Sequence, residues 1–312
     1  MSICSGCWSG PTEFSRTLSY IEGDRVLPEF EGAIAYIHQH DIYLLVTGDL
    51  SPRQVTHTPE LEKEMIVLSF DHNKLAYIND QGKIQIIDST GRELSQVSVS
   101  GEIKDFGWSP DDQTLYILAD NDVQFHGPPI NIPSFKVPQA SYQAHSFHMA
   151  KNGTFVFAYS YQDGTPNVRT RRTYKTVGVL NGDEYEQTIT YPYHGFSDLH
   201  AYTRLSANGR FMFEMRFHPL DTMSNSTYQY NGYWFSRVNW NRDPIQMNFI
   251  GAGVTPSPDG SNILYGFSNG SERMYEQFTN LAIDTIGYNR NKKKLITFYL
   301  EPSEKVFTDW KP

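Results

Sequence analysis

The chain has 312 residues, more than one packed domain usually needs, yet closed all-β architectures of this length form one unit, so length does not force a second domain. Aromatics reach 14% through 20 Tyr, 19 Phe and 5 Trp, which favours pleated, half-buried strands over helices. The formal net charge of −9 opposes any partner that needs a basic face, which excludes nucleic acid, and no stretch approaches the ~18 apolar residues of a membrane-spanning helix.

In chain order, residues 1–15 read as a flexible N-terminal segment that carries both cysteines, Cys4 and Cys7. A lone C-x-x-C cannot complete a tetrahedral zinc site, and no βαβ pattern surrounds it to suggest redox work. Two readings stay open. Ser5 and Gly6 suit the cleavage site of a bacterial lipoprotein signal with Cys7 as lipid acceptor, although Cys4 replaces the usual aliphatic residue; otherwise the tail is a disordered end with incidental thiols.

Residues 16–312 carry a repeat. Ser69-Phe70-Asp71-His72-Asn73-Lys74 precedes the apolar strand Leu75-Ala76-Tyr77-Ile78, and Ser109-Pro110-Asp111-Asp112-Gln113-Thr114 precedes Leu115-Tyr116-Ile117-Leu118. The frame returns at Met149 to Gly153 before Phe155-Val156-Phe157, at Ser206-Ala207-Asn208-Gly209 before Phe211-Met212-Phe213, and at Ser257-Pro258-Asp259-Gly260 before Ile263-Leu264-Tyr265. Ile34-Ala35-Tyr36-Ile37 repeats the strand without a clear turn. The units start near 28, 69, 109, 149, 206 and 257, which makes six, and the fourth and fifth are longer than the first three. In Ser-Pro-Asp-Gly, Pro presets φ, Asp bonds its own backbone and Gly takes positive φ. Further strands follow each turn, for example Asp41 to Val46, Lys83 to Ile87 and Leu94 to Val99. A period of ~40 to 50 residues with several short strands per unit predicts an all-β, six-bladed β-propeller of short antiparallel blades.

The segment Ile34 to Thr58, with Ser109-Pro110-Asp111-Asp112 and Ser257-Pro258-Asp259-Gly260 ahead of later strands, resembles the PD-type propeller repeat of TolB-like proteins, also found in the propeller domains of prolyl-oligopeptidase and dipeptidyl-peptidase enzymes. The resemblance covers roughly Pro28 to Leu300. It implies a single propeller over 16–312, closed by an early strand Arg16 to Ile21 beside Leu295 to Leu300, and a periplasmic or outer-membrane-anchored monomer that binds an envelope protein. Peptide or glycan ligands fit the same scaffold.

No Gly-x-Ser-x-Gly elbow, Walker loop or dinucleotide fingerprint occurs. The histidines offer one site hypothesis: His145, His148, His194, His200 and His218, with Asp198, are placed to ligate a divalent metal if loops at one end of the propeller bring them together. The fold of this repeat class resembles that of the oligogalacturonate lyases, whose metal is held by histidines, although no motif carries the match residue by residue; that precedent implies a metal-dependent lyase or hydrolase on acidic oligosaccharides, with Arg204, Arg210 or Arg216 pairing with sugar carboxylates. The other reading is a set of separate, hydrogen-bonded histidines and no cofactor. For a non-enzymatic module, Tyr193, Tyr228, Tyr230, Tyr233 and Trp234 are the candidate stacking surface, joined by Arg204 and Arg216; the alternative is that the aromatics are strand residues packing an enlarged blade.

Overall fold

A computed structural model describes residues 30–49, 51–130, 142–161, 168–177, 184–192, 202–219, 228–236, 245–248, 252–267, 278–285, 298–303 and 307–312. Among them every regular element is a strand, and the strands fall into six small antiparallel sheets. The first holds β1 (Ala33–His38), β2 (Asp41–Val46) and β3 (Arg53–Gln54), and the second β4 (Lys63–Leu68), β5 (Lys74–Asn79), β6 (Ile84–Asp88) and β7 (Glu93–Val97). The third is described with three strands, β8 (Ile103–Trp108), β9 (Leu115–Ala119) and β10 (Asp122–His126). The fourth comprises β11 (Tyr142–Met149), β12 (Phe155–Tyr161), β13 (Val168–Val177) and β14 (Glu184–Pro192). The fifth comprises β15 (Tyr202–Leu205), β16 (Phe211–Pro219), β17 (Tyr228–Ser236) and β18 (Ile245–Asn248). The sixth comprises β19 (Ala252–Pro256), β20 (Asn262–Phe267), β21 (Phe278–Thr285) and β22 (Phe298–Ser303).

The last strand, β23 (Thr308–Lys311), returns to the first sheet and pairs with β1, Ala33 opposite Lys311 and Tyr36 opposite Thr308. It supplies the inner strand that the first unit lacks in sequence. The inner strands then form a closed circuit, in which β23 touches β4, β4 touches β8, and β11, β15 and β19 follow until β19 meets β23. This is the β-propeller architecture. Its seam differs from the expected one: the described seam joins the C-terminal strand to β1, and Phe298–Ser303 is the outer strand of the sixth sheet on β21. Arg16 to Ile21 lies outside the described residues, as does Cys7.

Residues of one strand bury both faces, which is why the repeats read as unbroken apolar runs. Leu75 and Tyr77 pack toward the first sheet with Ala33, Ala35 and Leu44, while Ala76 between them packs toward the third with Phe106 and Leu115. On β9 the alternation repeats: Leu115 and Ile117 face the second sheet, Tyr116 and Leu118 face the fourth. Phe155, Phe157 and Tyr159 join Tyr116, whereas Val156 and Ala158 meet Leu205 and Met212 of the fifth sheet.

The repeated turn has one hydrogen-bond pattern. Ser69, Ser109 and Ser257 Oγ donate to the carboxylates of Asp71, Asp111 and Asp259 at 2.5 to 2.7 Å, and Ser206 donates likewise to Asn208. The same serine oxygens accept from the backbone N–H five residues on. The fourth position needs positive φ, and Gly153, Gly209 and Gly260 supply it; His72 (φ 61°) and Asp112 (φ 58°) adopt it without being glycine.

Candidate functional site

Each inner strand is tied to the next by a polar side chain, and these ties occupy most of the charged groups that line the channel. Leu68 N–H on β4 donates to Asp309 Oδ2 on β23 at 2.7 Å, and Phe147 N–H on β11 donates to Asp105 Oδ2 on β8 at 3.2 Å. Leu205 N–H on β15 donates to His148 Nδ1 on β11 at 3.1 Å, and Thr255 Oγ1 on β19 donates to Thr308 O on β23 at 3.1 Å. The two remaining junctions are bridged at the turns. Asp112 accepts from Phe70 N–H at 2.8 Å and from Asp71 N–H at 2.9 Å, and Asn208 Nδ2 donates to Asp259 O at 3.1 Å.

Arg204 crosses β11 to reach β8. Its two terminal nitrogens donate to Asp105 Oδ2 at 2.8 Å and Oδ1 at 2.9 Å, and Nη1 also donates to Thr203 O at 3.0 Å. The Asp105 side chain is fully buried, and burial pushes its carboxyl up against the pull of Arg204. Burial disfavours the Arg204 cation, but Asp105 more than offsets this and holds the guanidinium above its ordinary value. Tyr116 stands behind the pair, fully buried, with its Oη accepting from Met149 N–H at 3.1 Å. Burial, and then the Asp105 charge, raises the Tyr116 phenol.

At the end of the channel marked by the Ser-x-Asp turns lies a small cavity lined by Phe70, Trp310, Ala207, Thr255, His148, Arg204, Asp309 and Lys311, among others. Lys311 Nζ stands 3.4 Å from Asp309 Oδ2 and 4.6 Å from the centre of the Phe70 ring. The His148 imidazole is held well below its ordinary value by burial first, and then by the Lys311 and Arg204 charges.

The opposite end is built differently. β12 runs away from the Ala150–Thr154 turn, and β13 continues past it: Tyr161 pairs with Arg171, while Val168 pairs with Pro192 beyond the end of β12. In the fifth sheet Tyr202, the first residue of β15, pairs with Met215, yet β16 and β17 stay paired through Arg216↔Asn231, Phe217↔Tyr230, His218↔Gln229 and Pro219↔Tyr228. Four residues of strand correspond to ~13 Å of extra hairpin at that end. The strand ends Tyr161 and Val168, Pro192 and Tyr202, and Pro219 and Tyr228 bracket three connections of these sheets at the end opposite the turns, while the connections 178–183 and 237–244 leave from the turn end.

The sequence candidates divide accordingly. Arg216, His218, Tyr228 and Tyr230 fall in the extended part of the β16–β17 hairpin, whereas Tyr233 and Trp234 lie deeper, opposite Glu214 and Phe213. They are strand positions rather than loop positions. His145 and His148 share β11, and His148 faces the fifth sheet through its bond to Leu205. Arg204 is brought to Asp105, not to Arg216; Arg210 is exposed beside the Ser206 turn. Tyr193, His194, Asp198 and His200 lie outside the described residues. Among the described residues no three His, Cys, Asp or Glu side chains gather into a metal site, and no helix is long and apolar enough to cross a membrane. Sequence reasoning missed the roles of Asp105, Tyr116, Asp309 and Lys311; Tyr116 reads only as one apolar position of a repeat strand, Asp105 only as a lone carboxylate in Ile103–Trp108, and Asp309 and Lys311 only as charges in the short polar run Thr308–Lys311.

No protein-family model matches the chain, and no curated protein matches it. Among solved structures, a chain of the nidogen/laminin complex superimposes with a TM-score of 0.56 at 8% identity, covering 89% of this chain and 97% of that one. A putative TolB from Agrobacterium tumefaciens gives 0.47 at 12% identity, covering 91% of this chain and 100% of the other. A functionally unknown protein from Desulfotomaculum acetoxidans gives 0.48 at 10%, covering 90% and 100%. At such identities the nidogen match speaks to the fold alone, and it agrees with the closed ring of sheets.

Proposed function

We propose that this protein is a non-enzymatic binding propeller of the bacterial envelope, which takes a protein, peptide or glycan at the end opposite the Ser-x-Asp turns. One observation carries the reading: among the described residues the fourth and fifth sheets extend their strands beyond the inner circuit at that end, as the sixth does more shortly, and the fifth sheet's extension holds Arg216, His218, Tyr228 and Tyr230. Binding residues characteristically sit on extensions held by a rigid scaffold, and aromatic residues give large contact area at low entropy cost. The channel wall supports the same view, because Asp105, His148, Arg204 and Asp309 are already engaged in joining strands. Cys7 as lipid acceptor would hold the protein at a membrane surface, and the reading treats it as a monomer.

The test is site-specific photo-crosslinking in envelope fractions, with p-benzoylphenylalanine placed at Thr170 or Gln229 on the extended hairpins and at Asn73 or Gln113 on the turns. Discrete adducts from the first pair that excess unlabelled protein competes away, with none from the second, are expected. Adducts confined to Asn73 and Gln113 would overturn the placement.

A metal-dependent lyase or hydrolase on acidic oligosaccharides is the second reading. It is favoured by one point of topology: the strand ends flanking His194 and His200 lie at the same end as His218. Manganese, calcium or zinc retained at one equivalent after dialysis, and lost in H194A and H200A, would move the assignment there; no retained metal would remove it.

A further inference from the structure

The third position of the repeated turn is Asp71, Asp111 and Asp259 in three units and Asn152 and Asn208 in two, each asparagine followed by glycine. The turn itself accepts either residue. Asn208 Oδ1 takes the Ser206 hydroxyl at 2.7 Å and the Arg210 N–H at 2.9 Å, as Asp259 Oδ1 takes the Ser257 hydroxyl and the Ser261 N–H, and Asn152 Oδ1 takes the Thr154 N–H at 3.0 Å. What the amides add is a donor to the next unit. Asn152 Nδ2 donates to Asn208 O at 2.7 Å and Asn208 Nδ2 to Asp259 O at 3.1 Å, so the turns of the fourth, fifth and sixth sheets are joined in series. The fit is close: a Cβ on Gly209 would stand 2.6 Å from Asn152 Oδ1 and 2.7 Å from its Nδ2. A carboxylate has no proton to give, and at either position it would set a negative oxygen against a carbonyl oxygen.

We infer that Asn152-Gly153 and Asn208-Gly209 are modification sites at which spontaneous deamidation irreversibly breaks this latch, at a rate set by opening of the turns. In the reaction the glycine nitrogen gives up its proton and bonds to the asparagine Cγ, the side-chain amide leaves as ammonia, and water opens the resulting succinimide to aspartate or isoaspartate. Glycine favours the first step because it has no Cβ to obstruct ring closure. The closed turns withhold both reactants. Gly209 N–H donates to Ser206 O at 2.8 Å and Gly153 N–H to Ala150 O at 2.9 Å, while each amide is held on its oxygen by its own turn and on its nitrogen by the next unit. Attack therefore needs a local opening that frees both groups, a minor state of the folded protein. Isoaspartate lengthens the main chain by one carbon and cannot rebuild the turn. Aspartate rebuilds the turn, as Asp71, Asp111 and Asp259 do in their units, but not the latch. The latch lies at the other end of the ring from the extended hairpins, so it stands independently of the function proposed above.

The experiment incubates the full chain at mildly alkaline pH, folded in buffer or unfolded in urea, and follows deamidation by mass in the peptides that carry each pair. Both asparagines are expected to react about tenfold or more slowly in the folded chain. Chain aged in urea and then refolded should contain a fraction with a lowered thermal midpoint, and the modified peptides should be found in that fraction. N152D and N208D reproduce the aspartate product. N152A and N208A, which lose the donor without adding charge, should each melt about 1–3 °C below wild type, and the aspartate variants lower still. Equal rates in the folded and unfolded chain would overturn the inference, as would aspartate variants that melt with wild type or with their alanine counterparts. The rate comparison needs no variant, so it decides the matter even where an aspartate variant does not fold.

Discussion

Replacing Arg204 by Met should be among the most damaging single changes to this fold. The substitution keeps a long stem against the channel wall and removes both charge-assisted bonds to Asp105, at 2.8 and 2.9 Å. Asp105 would then be a fully buried carboxylate held by the backbone N–H groups of Phe106 and Phe147 and by the Ser146 hydroxyl, with no cation beside it. Breaking a buried pair from one side costs about 3–5 kcal/mol, because the remaining charge is left uncompensated. With an m-value of about 3 kcal/mol/M in urea, the midpoint should fall by about 1–1.7 M. D105N in the R204M background removes the orphaned charge and should restore part of that loss, a coupling of about 1–3 kcal/mol in the double-mutant cycle. The pH dependence has a definite sign. Without Arg204, burial holds the Asp105 carboxyl above its unfolded value of about 3.9, so the penalty is present above that value and disappears below it. The gap between R204M and wild type should therefore narrow as pH falls through about 4, while the gap for D105N/R204M should not. Equal costs for R204M and the double variant, or a midpoint shift of R204M too small to measure, would refute the account of the pair as a tie across β11.

Gly107→Ala should destabilise strongly although Gly107 lies in a regular strand, because an added Cβ would stand 2.2 Å from Tyr116 Oη, a fully buried group fixed by Met149 N–H. Overpacking of this kind costs about 1–3 kcal/mol, and the Tyr116→Phe background, checked by thermal unfolding, should recover only a small part of it, because the ring carbon Cζ still stands 2.5 Å from the added Cβ. Ser109→Ala should raise the Asp111 carboxyl, which the Ser109 hydroxyl holds below its ordinary value, with help from Gln113 N–H. A depressed carboxylate contributes stability above its unfolded pKa and loses it as pH falls through the folded one, so the variant should begin acid unfolding at a higher pH than wild type; carbon-13 titration of Asp111 and far-UV circular dichroism read the two effects, and an unchanged Asp111 titration would count against the turn pattern.

Local chemistry made the repeat legible. Ser69-Phe70-Asp71 and its copies specify a turn through bonds reaching two to five residues, so the pattern survives in sequence wherever the turn does, even where His72 or Asp112 replaces glycine. The second strand of each unit was equally readable, because a strand buried on both faces must be apolar at every position, as Leu115 to Leu118 are. Strands β13 and β17 were harder, since polar and aromatic residues mix in them and the same composition suits a loop. The inner strands were hardest. β23 pairs with a segment some 270 residues earlier, and nothing in Thr308 to Lys311 states that Ala33 is its neighbour. The sequence by itself determined the all-β class, the period and the turns, because each depends on residues close along the chain. Only the tertiary structure decided that Arg204 joins Asp105, that His148 and Lys311 face one cavity, and that the long hairpins share one end, because ring closure sets those distances and no local pattern encodes it.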